Sequence, residues 1–203
     1  MTDKIKLPLA QAQALAEKIV EALSPACERI EIAGSIRRRK PMVGDIEIVA
    51  IPRFGPKPGA MADLFTGKIE QESLLDRLLA ELVERKPHFH RGGKDGEKYK
   101  TFAIDLPGGD QVKLDLFLAT VEQWGFTLLI RTGPADFSKH MVTQAWQDGP
   151  LPAEYRVSGG WMWQGSEQVP IREGREWFEL CGYEYREPWE RDGWREWKGE
   201  STT

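Results

Sequence analysis

Gly34-Ser35-Ile36-Arg37-Arg38-Arg39-Lys40-Pro41-Met42-Val43-Gly44-Asp45-Ile46-Glu47-Ile48-Val49 sets a Gly-Ser turn and four consecutive bases ahead of an apolar strand carrying two alternating carboxylates. Side chains two apart on a strand share a face. Asp45 and Glu47 therefore point the same way, while Ile46, Ile48 and Val49 build the sheet. A glycine turn offers backbone amides to anions, and paired carboxylates suit a hard cation. Together they fit one task, the holding of Mg²⁺ against a triphosphate. A merely solvated sheet face would also display Asp45 and Glu47, but it leaves the Gly-Ser, the bases and a further strand carboxylate at Asp115 unaccounted for.

On the N-terminal side, Leu9 to Leu23 spaces Leu15, Ile19, Ala22 and Leu23 as an amphipathic helix, which Ser24-Pro25 ends. Arg29 to Ala33 and Asp45 to Ile51 are expected as adjacent strands flanking the glycine turn. Pro52 to Gly59 reads as a loop, and Glu72 to Glu84 as a second helix with a broad leucine face. Lys98 to Leu106 and Gln111 to Leu118 are predicted strands joined by the turn Pro107-Gly108-Gly109-Asp110. In the latter, Val112, Leu114, Leu116 and Leu118 alternate with Lys113, Asp115 and Phe117, so Asp115 faces away from the leucines. Beyond Thr120 a helix starts near Glu122-Gln123-Trp124 and another covers Asp136 to Trp146. Short strands follow over Glu154 to Gln164, then a last helix from Glu173 to Leu180.

The pattern is α+β, with a boundary near residue 120; all eight tryptophans lie beyond it. With 203 residues, 40% hydrophobic and 30% charged, the chain reads as globular, of one or two packed subdomains. No apolar run approaches the roughly 20 residues of a membrane span, and no signal-peptide layout opens the chain. Cys27 and Cys181 give neither a disulfide framework nor metal-ligand spacing, so a reducing, cytoplasmic compartment is expected. The net charge of −4 argues against a protein that coats long nucleic acid. Residues 167–200 hold ten acids and six bases, which accounts for that whole deficit and leaves room for a local basic site at Arg37–Lys40.

Two-metal nucleotidyl transfer needs carboxylates gathered on rigid strands, since Mg²⁺ takes near-octahedral oxygen ligands at about 2.0–2.1 Å. Asp45 and Glu47 would hold the metal of the nucleotide, and Asp115 the ion that activates the nucleophile. His88 and His90 alone do not make a metal site. The tryptophans read as core packing of a small subdomain, with Trp194 and Trp197, in a charged tail, better placed than Trp177 for surface contact.

The segments, taken in order, resemble the nucleotidyltransferase superfamily and, within it, the family X (polymerase beta-like) DNA polymerases. The palm signature of that family, Gly-Ser, a hydrophobic residue, two arginines, a short loop and Gly-Asp-x-Asp, is matched in spacing from Gly34 to Glu47. Lys113-Leu114-Asp115-Leu116 resembles the strand of the third family aspartate. Trp124-Gly125, Thr132-Gly133, Phe137-Ser138-Lys139-His140-Met141 and Tyr185-Arg186-Glu187-Pro188 resemble later family segments.

The resemblance implies a palm over residues 1–120 and a nucleotide- and nascent-pair-binding subdomain over 121–203. It implies metal ligation by Asp45, Glu47 and Asp115 to two Mg²⁺ ions, and contact of the β- and γ-phosphates by Ser35, Arg38 and the Gly44 amide in the Gly34 turn. Lys6 stands where the family has an arginine on the triphosphate, and Thr132-Gly133 belongs to the nucleotide-selecting segment. The implied activity is addition of a dNTP to the 3′-hydroxyl of primed or gapped DNA, as in gap-filling repair, by a monomer without membrane attachment.

Glu47 replaces the usual aspartate, which brings Mn²⁺ in as an alternative metal, and Ile130-Arg131 replaces an aromatic pair. Arg37 and Arg39 are expected at solvent or DNA backbone. Gly133-Pro134 is expected to be cis, an isomer only about 0.5–1 kcal/mol above trans for proline. The first helix begins almost at residue 9, so a minimal form without the lyase domain, and without lyase function, is expected. Two rivals stand beside the polymerase: a nucleotidyltransferase acting on RNA, protein or a small molecule, and a non-catalytic nucleotide- or DNA-binding scaffold.

Overall fold

A computed structural model of the chain describes residues 5–197. The expected subdomains 1–120 and 121–203 each begin or end outside those residues. In chain order the strands and helices are β1 (Leu7–Pro8), α1 (Leu9–Leu23), β2 (Cys27–Ile32), α2 (Gly34–Arg37), β3 (Met42–Val43), β4 (Asp45–Pro52), β5 (Phe54–Pro56) and β6 (Gln71–Ser73). They continue as α3 (Leu74–Arg85), β7 (Phe89–Asp95), β8 (Tyr99–Asp105), β9 (Gln111–Leu118), α4 (Trp124–Thr132), α5 (Ala135–Met141), β10 (Tyr155–Ser158), β11 (Trp161–Gln164), β12 (Glu167–Val169) and α6 (Gly174–Leu180). The chain is α+β, with a mixed sheet and helices.

The main sheet has the order β2-β4-β9-β8-β7. Its one parallel pair is β4 with β9, in the register Asp45↔Lys113, Glu47↔Asp115, Val49↔Phe117. Period-two alternation gives this sheet two different faces. Ile46, Ile48, Leu114, Leu116, Phe102 and Ile104 bury one face under α1 and α3. Val49, Ile51 and Phe117 bury the other under Trp124 and Leu128 of α4. Asp45, Glu47 and Asp115 share that second face.

Helix α4 is apolar on two sides. Its Phe126 and Leu129 join a separate cluster with Phe137, Met141, Met162, Trp177 and Phe178. Gly125 permits the approach of α6: a Cβ there would sit 2.3–2.5 Å from the Glu173 backbone.

Several expectations change. The glycine turn after β2 is a helical turn, α2. The strand β5 occupies what reads as loop, and its partner β6 takes Glu72 and Ser73 from the start of the expected helix, which begins at Leu74. Phe89 lies in the edge strand β7 rather than a loop, because its ring stacks on Phe102 at 4.7 Å. The helix expected to reach Trp146 ends at Met141, where the backbone is drawn into a bridge between Gln144 and Leu151. No peptide bond among the described residues is cis, which corrects the Gly133–Pro134 expectation. Gly133 is extended and Pro134 caps α5 in its ordinary φ range, so a trans bond makes the corner. Trp194 and Trp197 pack on the Phe137–Phe178 cluster instead of presenting a free surface, while Trp146 and Trp189 are the exposed ones.

Candidate active site

The parallel pairing of β4 with β9 sets Glu47 beside Asp115, and the strand pleat adds Asp45 on the same face. Burial pushes the Glu47 carboxyl up from 4.5 to about 7; repulsion from Asp45 and Asp115 adds to the rise, while Arg38 and Arg131 oppose it. Glu47 thus lies in the field of the other two acids. Asp115 is 5% exposed and accepts a hydrogen bond of 2.5 Å from the Tyr99 hydroxyl. The Lys113 ammonium reaches both its oxygens, at 2.6 and 2.9 Å. Burial would lower the Lys113 ammonium, yet its bonds to Asp115 and Tyr99 hold it above its ordinary value.

The helical turn α2 closes one side. The Ala33 amide donates to the Glu47 carbonyl at 2.8 Å, which seats Gly34 against the Glu47 side chain. Gly34 has φ +59°, and a Cβ on it would fall 1.8 Å from Glu47 Oε2, so only glycine fits. Ser35 Oγ is buried without a hydrogen-bond partner, and so is Thr132 Oγ1. Such orphaned hydroxyls are uncommon and call for a reason. Gly44 leaves open space around its Cα. Lys6 is exposed, one residue before the Leu7↔Val43 pair and hence beside Gly44. Gly133 is fixed by contact, since a Cβ there would meet the Phe137 ring at 2.2 Å.

The basic cluster is engaged within the chain. Arg37 donates to Glu31 at 2.6 Å, and Arg39, itself at φ +59°, stacks 3.8 Å from the Trp189 ring. Solvent or DNA backbone is the expectation for both: Arg39 is exposed, with Trp189 beside it, whereas Arg37 is half-buried against Glu31. Arg38 donates through Nη1 to the Thr132 carbonyl at 2.5 Å. Its Nε lies 3.4 Å from Asp192 Oδ1, too poorly aligned for a hydrogen bond. Lys40 pairs with the other Asp192 oxygen at 2.9 Å. The segment Pro188–Glu196, a 3₁₀ helix near the end of the chain, therefore grips the turn that faces the carboxylates.

Three all-oxygen acids suit Mg²⁺ or Mn²⁺ chemically, and the orphaned Ser35 hydroxyl beside them suits a polar ligand. Among the described residues no three His, Cys, Asp or Glu side chains are drawn into a formed metal cage. Lys113 and Tyr99 hold Asp115 to themselves, so the ammonium must give way before Asp115 can take a cation. Neither cysteine offers a nucleophile: burial pushes Cys27 up to about 11 and Cys181 up to about 12. A cleft of about 500 Å³ runs between α4 and α6, reaching Thr132 and Arg37, and is lined by four arginines and four glutamates that include Arg29, Arg191, Glu173 and Glu187. Its balanced charge gives an anion no net attraction.

Four neighbours of the site are not assigned to it by sequence reading. Lys113 lies two residues before Asp115 and could have been found by strand alternation. Arg131 stacks 4.0 Å over Phe117 and acts on Glu47, a placement that needs the α4 packing. Tyr99 and Asp192 carry no local signal, since both arrive by long-range pairing.

No protein-family model matches the chain. DNA polymerase lambda of Rattus norvegicus is similar to it, 27% identical over 171 residues that cover 78% of this chain. The chain spans 28% of the length of that curated relative. The similarity is distant. No helix among the described residues is long and apolar enough to cross a membrane.

Proposed function

We propose that this chain is a metal-dependent DNA polymerase of the family X type, transferring a nucleotidyl group from a dNTP to a DNA 3′-hydroxyl. The observation that carries this reading is the parallel register of β4 and β9, which gathers Asp45, Glu47 and Asp115 on one sheet face against the Gly34-Ser35 turn. In the reaction the 3′-oxygen bonds to the α-phosphorus, the bond from that phosphorus to the β-phosphate oxygen breaks, and pyrophosphate leaves. Asp45, Glu47 and Asp115 would hold Mg²⁺, or Mn²⁺ given the longer Glu47. When bound, the metal supplies charge neutralisation on the triphosphate and an acidified 3′-hydroxyl.

The chain's own groups do the rest. Ser35, whose hydroxyl has no partner in the fold, and the amides of the α2 turn and Gly44 would receive the β- and γ-phosphates. Arg38 would add charge, exchanging Asp192 for a phosphate oxygen, with Lys6 at the rim. Asp115 stands on the nucleophile's side; the Tyr99 hydroxyl, which donates to one of its oxygens, would fix its carboxylate plane once the Lys113 ammonium has given way to the metal. Thr132 and Gly133, at the end of α4, would border the sugar and base, with Arg131 beside Glu47. The palm-like body holds the acids, and the C-terminal half covers the nucleotide.

Primer extension on gapped duplex, with Mg²⁺ and with Mn²⁺, tests the proposal. Growth of the primer by single nucleotides is the expected result. Labelling of RNA, protein or a small molecule without primer growth would select a different acceptor on the same site. Nucleotide binding with no transfer in either metal would leave only a binding scaffold.

A further inference from the structure

One carboxylate serves two cations at the turn that faces the three acids. Asp192 Oδ2 pairs with Lys40 Nζ at 2.9 Å, and Oδ1 lies 3.4 Å from Arg38 Nε. The second contact is incomplete, for Arg38 Nε is buried and makes no hydrogen bond. In the same turn the Ser35 hydroxyl is buried without a partner as well. Two orphaned donors beside one shared carboxylate suit an anion with more oxygens than a carboxylate has. Charge agrees. Among the described residues Glu31 answers Arg37 and the Trp189 ring covers Arg39, so a single acid faces Arg38 and Lys40 and leaves the turn positive.

That acid comes from a segment with two faces. Pro188–Glu196 is 3₁₀ over nine residues, longer than such helices usually run. Side chains three apart line up in this helix type. Trp189 and Asp192 accordingly make one face, set on the basic turn, while Arg191 and Trp194 make the other, set on the aromatic cluster. Arg191 is buried and Trp189 exposed, so the segment is rooted by its aromatic side and meets the turn with its wetter one. Asp192 is not the cap of the segment either, since Glu190 accepts from the Glu187 amide at 2.7 Å. It can leave the turn without uncapping the segment or opening the aromatic core.

We propose that Asp192 is an internal stand-in for a polyphosphate and that Lys40 is a further residue of the triphosphate seat. An entering triphosphate takes Arg38, Lys40 and the Ser35 hydroxyl together, through charge-assisted hydrogen bonds, and the face carrying Asp192 and Trp189 lifts away. Affinity for the outer phosphates is then set by a competition within the chain, which an inorganic polyphosphate enters as a dNTP does. The proposal rests on the reading of the Gly34-Ser35 turn as the triphosphate site.

Calorimetric titration of the full chain with inorganic tripolyphosphate, in Mg²⁺ and without DNA, tests it. Asp192→Asn keeps the shape of the side chain and removes the competing charge. The variant should bind about fivefold more tightly than wild type, the worth of one partly exposed charge pair. A dNTP should show the same gain, and a deoxynucleoside monophosphate, which lacks the outer phosphates, none. Adding Lys40→Ala to Asp192→Asn should cancel the gain. An Asp192 that only pins the segment predicts unchanged or weaker binding in the variant. That result, an equal gain for the monophosphate, or a Lys40→Ala change without effect overturns the proposal. Wild type gives a second readout: tripolyphosphate should change its tryptophan emission, and Trp189→Phe should remove that change. Bound tripolyphosphate that leaves the emission unaltered overturns the proposal even if Asp192→Asn does not fold, and so does a wild type that binds none. Primer extension reads the activity separately. A chain that grows primers while Asp192→Asn binds no tighter keeps the proposed function and loses the competition. One that grows none yet shows the tightened binding keeps the polyphosphate seat without the polymerase.

Discussion

The sheet half and the aromatic half of this molecule use opposite materials for their cores. Strands β4 and β9 run eight residues each, and their backbone ladder fixes side-chain direction whatever the side chains are. Three acids can share one face there because the ladder, not the side chains, sets the spacing. In the C-terminal half the strands β10 to β12 are three or four residues long, and rings supply the order. Phe137, Phe178 and Tyr185 surround Arg191, 3% exposed, with its guanidinium 5.3–5.9 Å from their centroids. Burial lowers that guanidinium to about 10, and it remains charged. Repulsive chemistry sits on the ladder, and adaptable packing sits where the structure covers it.

The sharpest way to break this division is Asp115→Ala. Under the proposed function, transfer should fall by about 10³-fold or more while nucleotide binding persists, as for loss of a metal-holding group. Single-turnover extension and nucleotide titration measure the two separately. Substantial turnover by the variant would remove Asp115 from the chemistry.

Trp177→Ala addresses the other half. Trp177 is fully buried, and its Nε1 donates to the Met141 carbonyl at 3.2 Å. Its removal should lower stability by about 3–5 kcal/mol, read from urea unfolding. Near-wild-type stability would show that the aromatic cluster is not a core.

The smallest effect concerns Glu47 and pH. Its carboxyl binds protons up to about pH 7 in the folded chain but has an ordinary value near 4.5 unfolded. Between those values the folded state holds more protons, so this group's contribution is fullest below about pH 4.5 and is lost as pH rises to about 7. After discounting for partial solvent access, the loss is on the order of 1–2 kcal/mol, or roughly 3–6 °C. Melting curves in chelator from pH 5 to 8 should show it in wild type and not in Glu47→Gln. A slope that the substitution leaves intact would assign the effect to other groups.

Much of the sheet half was legible because its signals are local. Alternation in Gln111–Leu118 placed Asp115 opposite the leucines, and the expected helix Leu9–Leu23 has those bounds in the structure. Strand period alone put Asp45 and Glu47 on one face and Asp115 opposite its leucines, but that β4 and β9 are parallel neighbours, with Glu47 beside Asp115, needed the structure. Less could be read where partners are distant. Phe89 gives little strand signal by itself and becomes one by stacking on Phe102. The fates of Arg37, Arg39 and Lys40 depended on Glu31, Trp189 and Asp192, none of which announces itself nearby. Gly133 suggested an unusual peptide bond, whereas the structure uses its missing side chain to admit Phe137.

The β4–β9 register also bears on the order in which the molecule is made. Glu47 and Asp115 are neighbours across the sheet, yet 68 positions separate them along the chain. Parallel pairing requires a long crossover, and distant contacts form late during folding. A nascent polypeptide that has emerged only through β8 has its glycine turn and first two acids but no third. The pairing of Glu47 with Asp115 thus waits on β9, and α4 must then dock over Val49 and Phe117, so this sheet face is complete only after residue 132 has been made.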